Sequence, residues 1–205
     1  MPAPSQIHDS IAGWLSKTLT RAARARLISD EWEDTMEVLP GPEYEGFIGN
    51  YAGRKKAPDT AFCPVSGPGR LHLAEFPAVV LETGHTTSTP KLFGDAALWR
   101  DGSNHQVKAV IVVKFYPPNV QNRVKVVLTI FSAYPRVNSR ATRQKTYTIF
   151  PAPARRVPNP SIPLNYLYAG RCPGSMSSRA RLTLDLELLR NTIVPYIHER
   201  GNLPA

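Results

Sequence analysis

Arg54-Lys55-Lys56-Ala57-Pro58-Asp59-Thr60-Ala61-Phe62, Phe76-Pro77-Ala78-Val79-Val80-Leu81-Glu82-Thr83-Gly84, Lys91-Leu92-Phe93-Gly94-Asp95-Ala96-Ala97-Leu98-Trp99 and Val107-Lys108-Ala109-Val110-Ile111-Val112-Val113-Lys114-Phe115-Tyr116 are pieces of one stretch that decides the fold. Pro58 to Phe62 is short and extended, and a proline is tolerated at a strand start because its missing N–H need not face a neighbour. Pro77 to Leu81 is a continuous apolar run of the kind buried at a sheet centre. Glu82 closes that run. Thr86 to Pro90 leads into a helix, with Pro90 in the first turn and Ser88 or Thr89 as cap. Leu92, Asp95, Ala96 and Trp99 share a face of it. Asp101-Gly102-Ser103-Asn104 ends it with turn chemistry. Lys108 to Phe115, apolar and β-branched, is the strongest strand in the chain.

Outward from this centre, residues 6–28 read as helical, because Ile7, Ile11, Trp14, Leu15, Thr18 and Leu19 recur at helical spacing. Met36 to Leu39 reads as a short strand stopped by Pro40-Gly41-Pro42, and 43–50 as an edge strand or an irregular loop. Downstream, Val124 to Phe131 is a second strong strand, antiparallel to the preceding one, and Tyr147 to Phe150 a third. Arg136 to Lys145 reads as a basic loop between them. Residues 151–163 are proline-rich and irregular. Tyr166 to Gly170 reads as another short strand. Leu182 to Arg190 begins as a strand-like alternation and passes into a helix over Arg190 to Glu199. The order helix, strands, helix, strands, helix implies an α/β fold, a mixed sheet flanked by helices. The organisation expected is an N-terminal helical segment over 1–40, a core over 41–150 and a proline-rich C-terminal extension over 151–205, packed on the core.

The chain's 205 residues suffice for one domain with a sizeable core, and the composition is that of a globular protein. The net charge of +9 favours polyanionic partners, nucleic acid first. Cys63 and Cys172 lie far apart with no metal-binding spacing, which fits a reducing compartment or, alternatively, a single disulfide. No apolar run reaches the ~18–20 residues of a membrane helix, and no secretory signal is visible, so an intracellular location, cytoplasmic or nuclear, is expected. A glycine-rich phosphate loop, a GxGxxG turn and a GxSxG elbow are all missing.

The residues that could carry chemistry are Asp59 and Glu82. A hard cation such as Mg²⁺ takes one or two carboxylates plus waters and substrate phosphates. If the chain between these acids returns as a hairpin, both carboxylates land at one sheet edge. A metal there would generate a hydroxide nucleophile and stabilise charge on a phosphate. The plainer alternatives are an Asx turn at Asp59 and a pairing of Glu82 with Arg54 or Lys56, since a carboxylate beside a buried strand needs a partner.

Pro58-Asp59 with Ala61-Phe62, Val80-Leu81-Glu82-Thr83-Gly84, then Lys91-Leu92, Asp95, Trp99 and the strand Val107 to Phe115 stand in an order that resembles the PD-(D/E)XK nuclease-like superfamily, in particular uncharacterised members from fungal genomes. The resemblance covers roughly 45–130. It implies a restriction-endonuclease-like core and a Mg²⁺-dependent phosphodiesterase acting on nucleic acid, DNA ahead of RNA. It implies Asp59 and Glu82 as metal ligands with the Thr83 backbone carbonyl as a third. The superfamily's lysine falls two residues after the second acid, on the same face of the strand. Gly84 stands there instead. Lys91 is the substitute expected, ahead of Lys108 and Lys114, with His85 and Asp95 as further groups within reach. Arg136, Arg140, Arg143 and Lys145 are expected to contact phosphates. The alternatives are a nuclease fold without catalysis that binds nucleic acid or protein, and an interaction domain unrelated to nucleic acid.

Overall fold

The computed structural model describes residues 6–66, 72–133 and 142–205. Helix α1 (Gln6–Arg24) and the short α2 (Glu31–Thr35) lead into strand β1 (Met36–Leu39). Strands β2 (Thr60–Ser66), β3 (His72–Leu73) and β4 (Val79–Gly84) follow, then helix α3 (Thr89–Ala97) and strand β5 (Ala109–Phe115). Strands β6 (Arg123–Val124), β7 (Val126–Ala133), β8 (Thr142–Phe150) and β9 (Ser161–Pro163) precede the single turn of α4 (Leu164–Leu167). Strand β10 (Arg181–Thr183), helix α5 (Leu186–His198) and strand β11 (Leu203–Pro204) complete the order.

One sheet runs β1-β2-β4-β5-β7-β8, with β3 added beside β2. Its pairs are antiparallel except for β4 with β5. Parallel neighbours need a crossover, and α3 supplies it. The protein is therefore a mixed α/β fold, with parallel and antiparallel strands in one sheet flanked by helices.

Strand alternation divides the core between the two faces. Val79, Leu81, Ala109, Ile111, Val113 and Phe115 pack with α1, α5 and the segment around α4. Val80, Val110 and Val112 face Leu92, Ala96 and Trp99 of the α3 layer. All seven residues of β5 are buried, as expected of a central strand covered on both sides. Each fully buried large aliphatic or aromatic side chain contributes roughly 1.5–3 kcal/mol, so this strand anchors both halves of the core. The helices at the two ends of the described chain are tied together. The Trp14 indole donates to the backbone oxygen of Asp185 at 3.0 Å, and Arg21 pairs with the Asp185 carboxylate at 2.8 Å. Asp185 also caps α5, accepting from the N–H groups of Glu187 and Leu188 at 3.0 Å each.

Some expectations shift. Tyr166 to Gly170 is no strand: the helical turn α4 covers Tyr166 and Leu167. The alternation from Leu182 is cut at Asp185, and helix α5 begins at Leu186, four residues before Arg190. Residues 43–50 hold only an isolated bridge from Tyr44 to Lys56 and a 3₁₀ turn at Gly49–Tyr51. Arg143 and Lys145 lie on β8 instead of in a loop, while Arg136 and Arg140 lie outside the described residues. Cys63 and Cys172 are both free thiols. Among the described residues no helix is long and apolar enough to cross a membrane.

Candidate functional site

The antiparallel register of β2 on β4 sets Thr60 against Leu81. One residue before Thr60, Asp59 therefore reaches the level of Glu82. Its backbone N–H donates to the Leu81 carbonyl at 3.1 Å, and its Oδ2 accepts the Thr83 N–H at 2.5 Å. The hairpin-like return expected from the sequence is present, and it sets both acids at the C-terminal end of β4. In a strand, the N–H and C=O of one residue point to the same side of the ladder. The Thr83 carbonyl accordingly opens toward Asp59.

Glu82 shares its face with Val80, under the α3 layer, and is 4% exposed. A carboxylate taken out of water needs partners, and Glu82 has two on Oε1. The indole N–H of Trp99 donates to it at 2.6 Å, and Lys56 Nζ lies 3.5 Å away. Lys56 Nζ also holds Asp95 at 2.9 Å. Two backbone hydrogen bonds to Tyr44, 2.8 and 3.0 Å long, position the Lys56 main chain. The Tyr44 ring in turn meets Trp99 edge-on at 5.7 Å and stacks on Phe76 at 6.2 Å. Phe47 completes this aromatic wall, 5.4 Å from Trp99.

The electrostatics follow from this enclosure. Burial, above all, pushes the Glu82 carboxyl up to about 7, with the charges of Asp59 and Asp95 adding to the rise. Lys56 and the Trp99 hydrogen bond oppose it. For Lys56, burial acts to lower the ammonium's pKa, yet Glu82 and Asp95 together outweigh it and the net shift is upward. Lys56 stays cationic near neutrality while Glu82 is poised between its two protonation states. A carboxyl tuned in this way can take or give a proton at physiological pH.

Gly84 is explained by its neighbour on α3. A Cβ at this position would overlap Leu92 Cδ1 and lie 3.0 and 3.1 Å from Leu92 Cγ and Cδ2. The helix packs so close to the strand end that a larger residue would fit only if Leu92 moved. Lys114 stands opposite Gly84 on β5, on the same face and 6% exposed. Its ammonium donates to the carbonyls of His85 and Thr87 at 2.9 and 2.7 Å, which ties down the β4–α3 loop. Burial lowers its pKa. Lys91 is exposed, with its backbone N–H on the Ser88 cap at 3.4 Å, and its ammonium has no partner among the described residues. Lys108 sits just before β5, at the opposite end of that strand from Lys114, on the carbonyl of His105 at 2.8 Å. His85 meets Arg200 at 3.3 Å. The lysine brought to the carboxylates is therefore Lys56. The sequence offered Lys56, beside Arg54, as a partner for Glu82, and the structure selects Lys56; Lys91 was the lysine expected to act in the chemistry.

Among the described residues no group of three or more His, Cys, Asp or Glu side chains forms a metal cage. The donor set still suits a hard cation that keeps most of its water. Glu82 Oε1 is engaged, which leaves Oε2, and the strand register sets Asp59 at the level of Glu82 with its Oδ2 on the Thr83 N–H. Arg143 and Lys145 do not join this site. The register that sets Glu82 beside Val112, Val112 beside Thr129 and Thr129 beside Thr146 puts both on the other face of the sheet. No family model and no curated protein matches the chain.

Proposed function

We propose that the protein is a metal-dependent phosphodiesterase of the restriction-endonuclease-like kind, acting on nucleic acid, with DNA ahead of RNA. Asp59, Glu82 and the Thr83 carbonyl would hold Mg²⁺, which supplies Lewis-acid stabilisation and an activated water when bound. Glu82 orients its free oxygen through the Trp99 and Lys56 contacts on the other. Lys56, in place of Lys91, presents the positive charge beside the scissile phosphate. The observation that carries this reading is a nearly enclosed Glu82, beside Asp59, held by one ammonium and one indole. Supercoiled plasmid and single-stranded DNA, incubated with Mg²⁺ or Mn²⁺, provide the test. Cutting that disappears in both Glu82→Gln and Asp59→Asn supports the reading, and equal cutting by these variants overturns it.

A second reading rests on the same ion cluster. Lys56 already pairs with both Glu82 and Asp95, so the carboxylates have a counter-charge without a metal. The protein would then be a catalytically silent binding module that retains nucleic acid with a steep salt dependence and no cleavage.

A further inference from the structure

The sheet face opposite Glu82 carries a second constellation. On β8, Arg143, Lys145 and Tyr147 alternate along the strand and so project to one side. Their ladder partners on β7 are Ser132, Ile130 and Leu128. The segment 157–161 and Arg181 of β10 form the facing wall of a groove of about 330 Å³, within the size of a small-ligand pocket. Arg181 is pre-positioned: its Nε donates to Ser161 Oγ at 2.7 Å and one Nη to the Ser161 carbonyl at 2.8 Å. Asn159 lines the groove as well. Its Oδ1 accepts the Leu186 N–H at 3.1 Å, which leaves its amide N–H groups as donors.

Three cations thus converge on one concavity from two walls, and no acidic side chain lines it among the described residues. A solvated charged face spreads its charges and intersperses both signs. Here both walls supply cations and the described lining supplies no acid, which favours an anion between the walls. Tyr147, half-buried in the same groove, adds an aromatic face. Cations that track a backbone combined with an aromatic on which a base can stack are the two elements of single-strand recognition.

We infer that this groove binds a single-stranded phosphodiester chain: Arg143, Lys145 and Arg181 take the phosphates and Tyr147 stacks a base. The inference shares its ligand class with the proposed function but none of its carboxylates. The test is fluorescence anisotropy with a labelled oligothymidylate of about 12 nucleotides, titrated at several salt concentrations. Each variant's melting curve serves as the folding control. The triple variant Arg143→Gln, Lys145→Gln, Arg181→Gln should bind about 10- to 100-fold more weakly at low salt. Its log–log salt slope should be shallower by about 2, close to 0.7 per lost phosphate contact. Tyr147→Leu should weaken binding at least about fivefold with an unchanged slope. Wild-type affinity and slope in the triple variant, or a duplex of the same length binding as tightly as the single strand, would overturn the inference. Glu82→Gln separates the two ideas: loss of cutting with intact binding in that variant tests the carboxylates alone. Unaltered binding by the triple variant removes the groove and leaves the carboxylate site standing.

Discussion

Leu92 occupies the space into which any side chain at Gly84 would grow. The glycine is thus a packing requirement of the β4–α3 contact. A lysine introduced there should not raise any phosphodiester cleavage. Gly84→Lys should destabilise the fold by about 1–3 kcal/mol, the ordinary cost of overpacking. Leu92→Ala added to it should recover part of that loss, although Leu92→Ala alone costs about 2–5 kcal/mol. Urea unfolding of the two single variants and the double variant reads the coupling. Additive effects would mean that the two side chains do not compete for this space.

The buried Glu82 makes a prediction with a definite sign. Its carboxyl titrates near 7 in the folded chain, against an ordinary value of 4.5. Between these pH values the folded protein holds a proton that the unfolded chain has released. Stability therefore falls as pH rises from about 4.5 to about 7 and levels off above. The shift corresponds to a loss on the order of 3 kcal/mol, at about 1.36 kcal/mol per pH unit. Glu82→Gln, which cannot ionise, should lack this component. Unfolding free energies of both proteins at pH 5 and pH 8 provide the comparison, and parallel pH profiles would show that Glu82 is not the titrating group.

Lys56 is the counter-charge shared by Glu82 and Asp95 at 3.5 and 2.9 Å. Lys56→Met keeps the length of the side chain and removes the charge. The Glu82 carboxyl should then titrate higher still, and any phosphodiesterase activity should fall by at least about 100-fold, the scale seen when one preorganised charge-stabilising donor is lost. Lys91→Met should leave both properties unchanged. Carboxyl titration by NMR, paired with the nicking assay, reads the two effects separately. A Lys56→Met protein with wild-type activity would exclude the ammonium from the chemistry.

Arg100 is 2% exposed, and its Nε and one Nη nitrogen have no hydrogen-bond partner among the described residues. Burial lowers its pKa, with the charges of Asp101 and Tyr166 acting the other way. An incompletely paired buried cation is a cost to the fold. Arg100→Met, which preserves the aliphatic stem, should be neutral or stabilising by about 1–2 kcal/mol. A thermal melt that falls by several degrees would instead reveal a structural role for the guanidinium.

The central strands were legible because burial writes itself into composition. Val79 to Leu81 and Ala109 to Phe115 are covered on both faces, so every position except Lys114 is apolar and no other element competes for the pattern. Asp59 and Glu82 were legible as a pair because the first stands just before a strand and the second closes the apolar run of another, and antiparallel pairing does the rest. Lys56 was legible as one of two partners for Glu82 beside Arg54, but the choice between them was not, because Lys56 lies on irregular backbone whose course is set by its bridge to Tyr44, a contact without periodicity. The same holds for the groove. Arg143 and Lys145 read as a basic loop, and only the extension of β8 back to Thr142 puts them in register with Tyr147. Arg181 joins them from 36 residues beyond Lys145, a distance that spacing along the chain does not encode.

The hydrogen bond from Trp14 to Asp185 joins residues 171 positions apart. Every contact of that span carries a loop-closure cost before it returns any stability, and such non-local topology slows folding. During synthesis α1 is made long before α5, and Ile7, Ile11, Trp14 and Leu15 stay without Leu189 and Ile193, their companions in the core, until α5 follows. Between those two moments the growing chain carries an apolar helix stripe that has not yet met its cover.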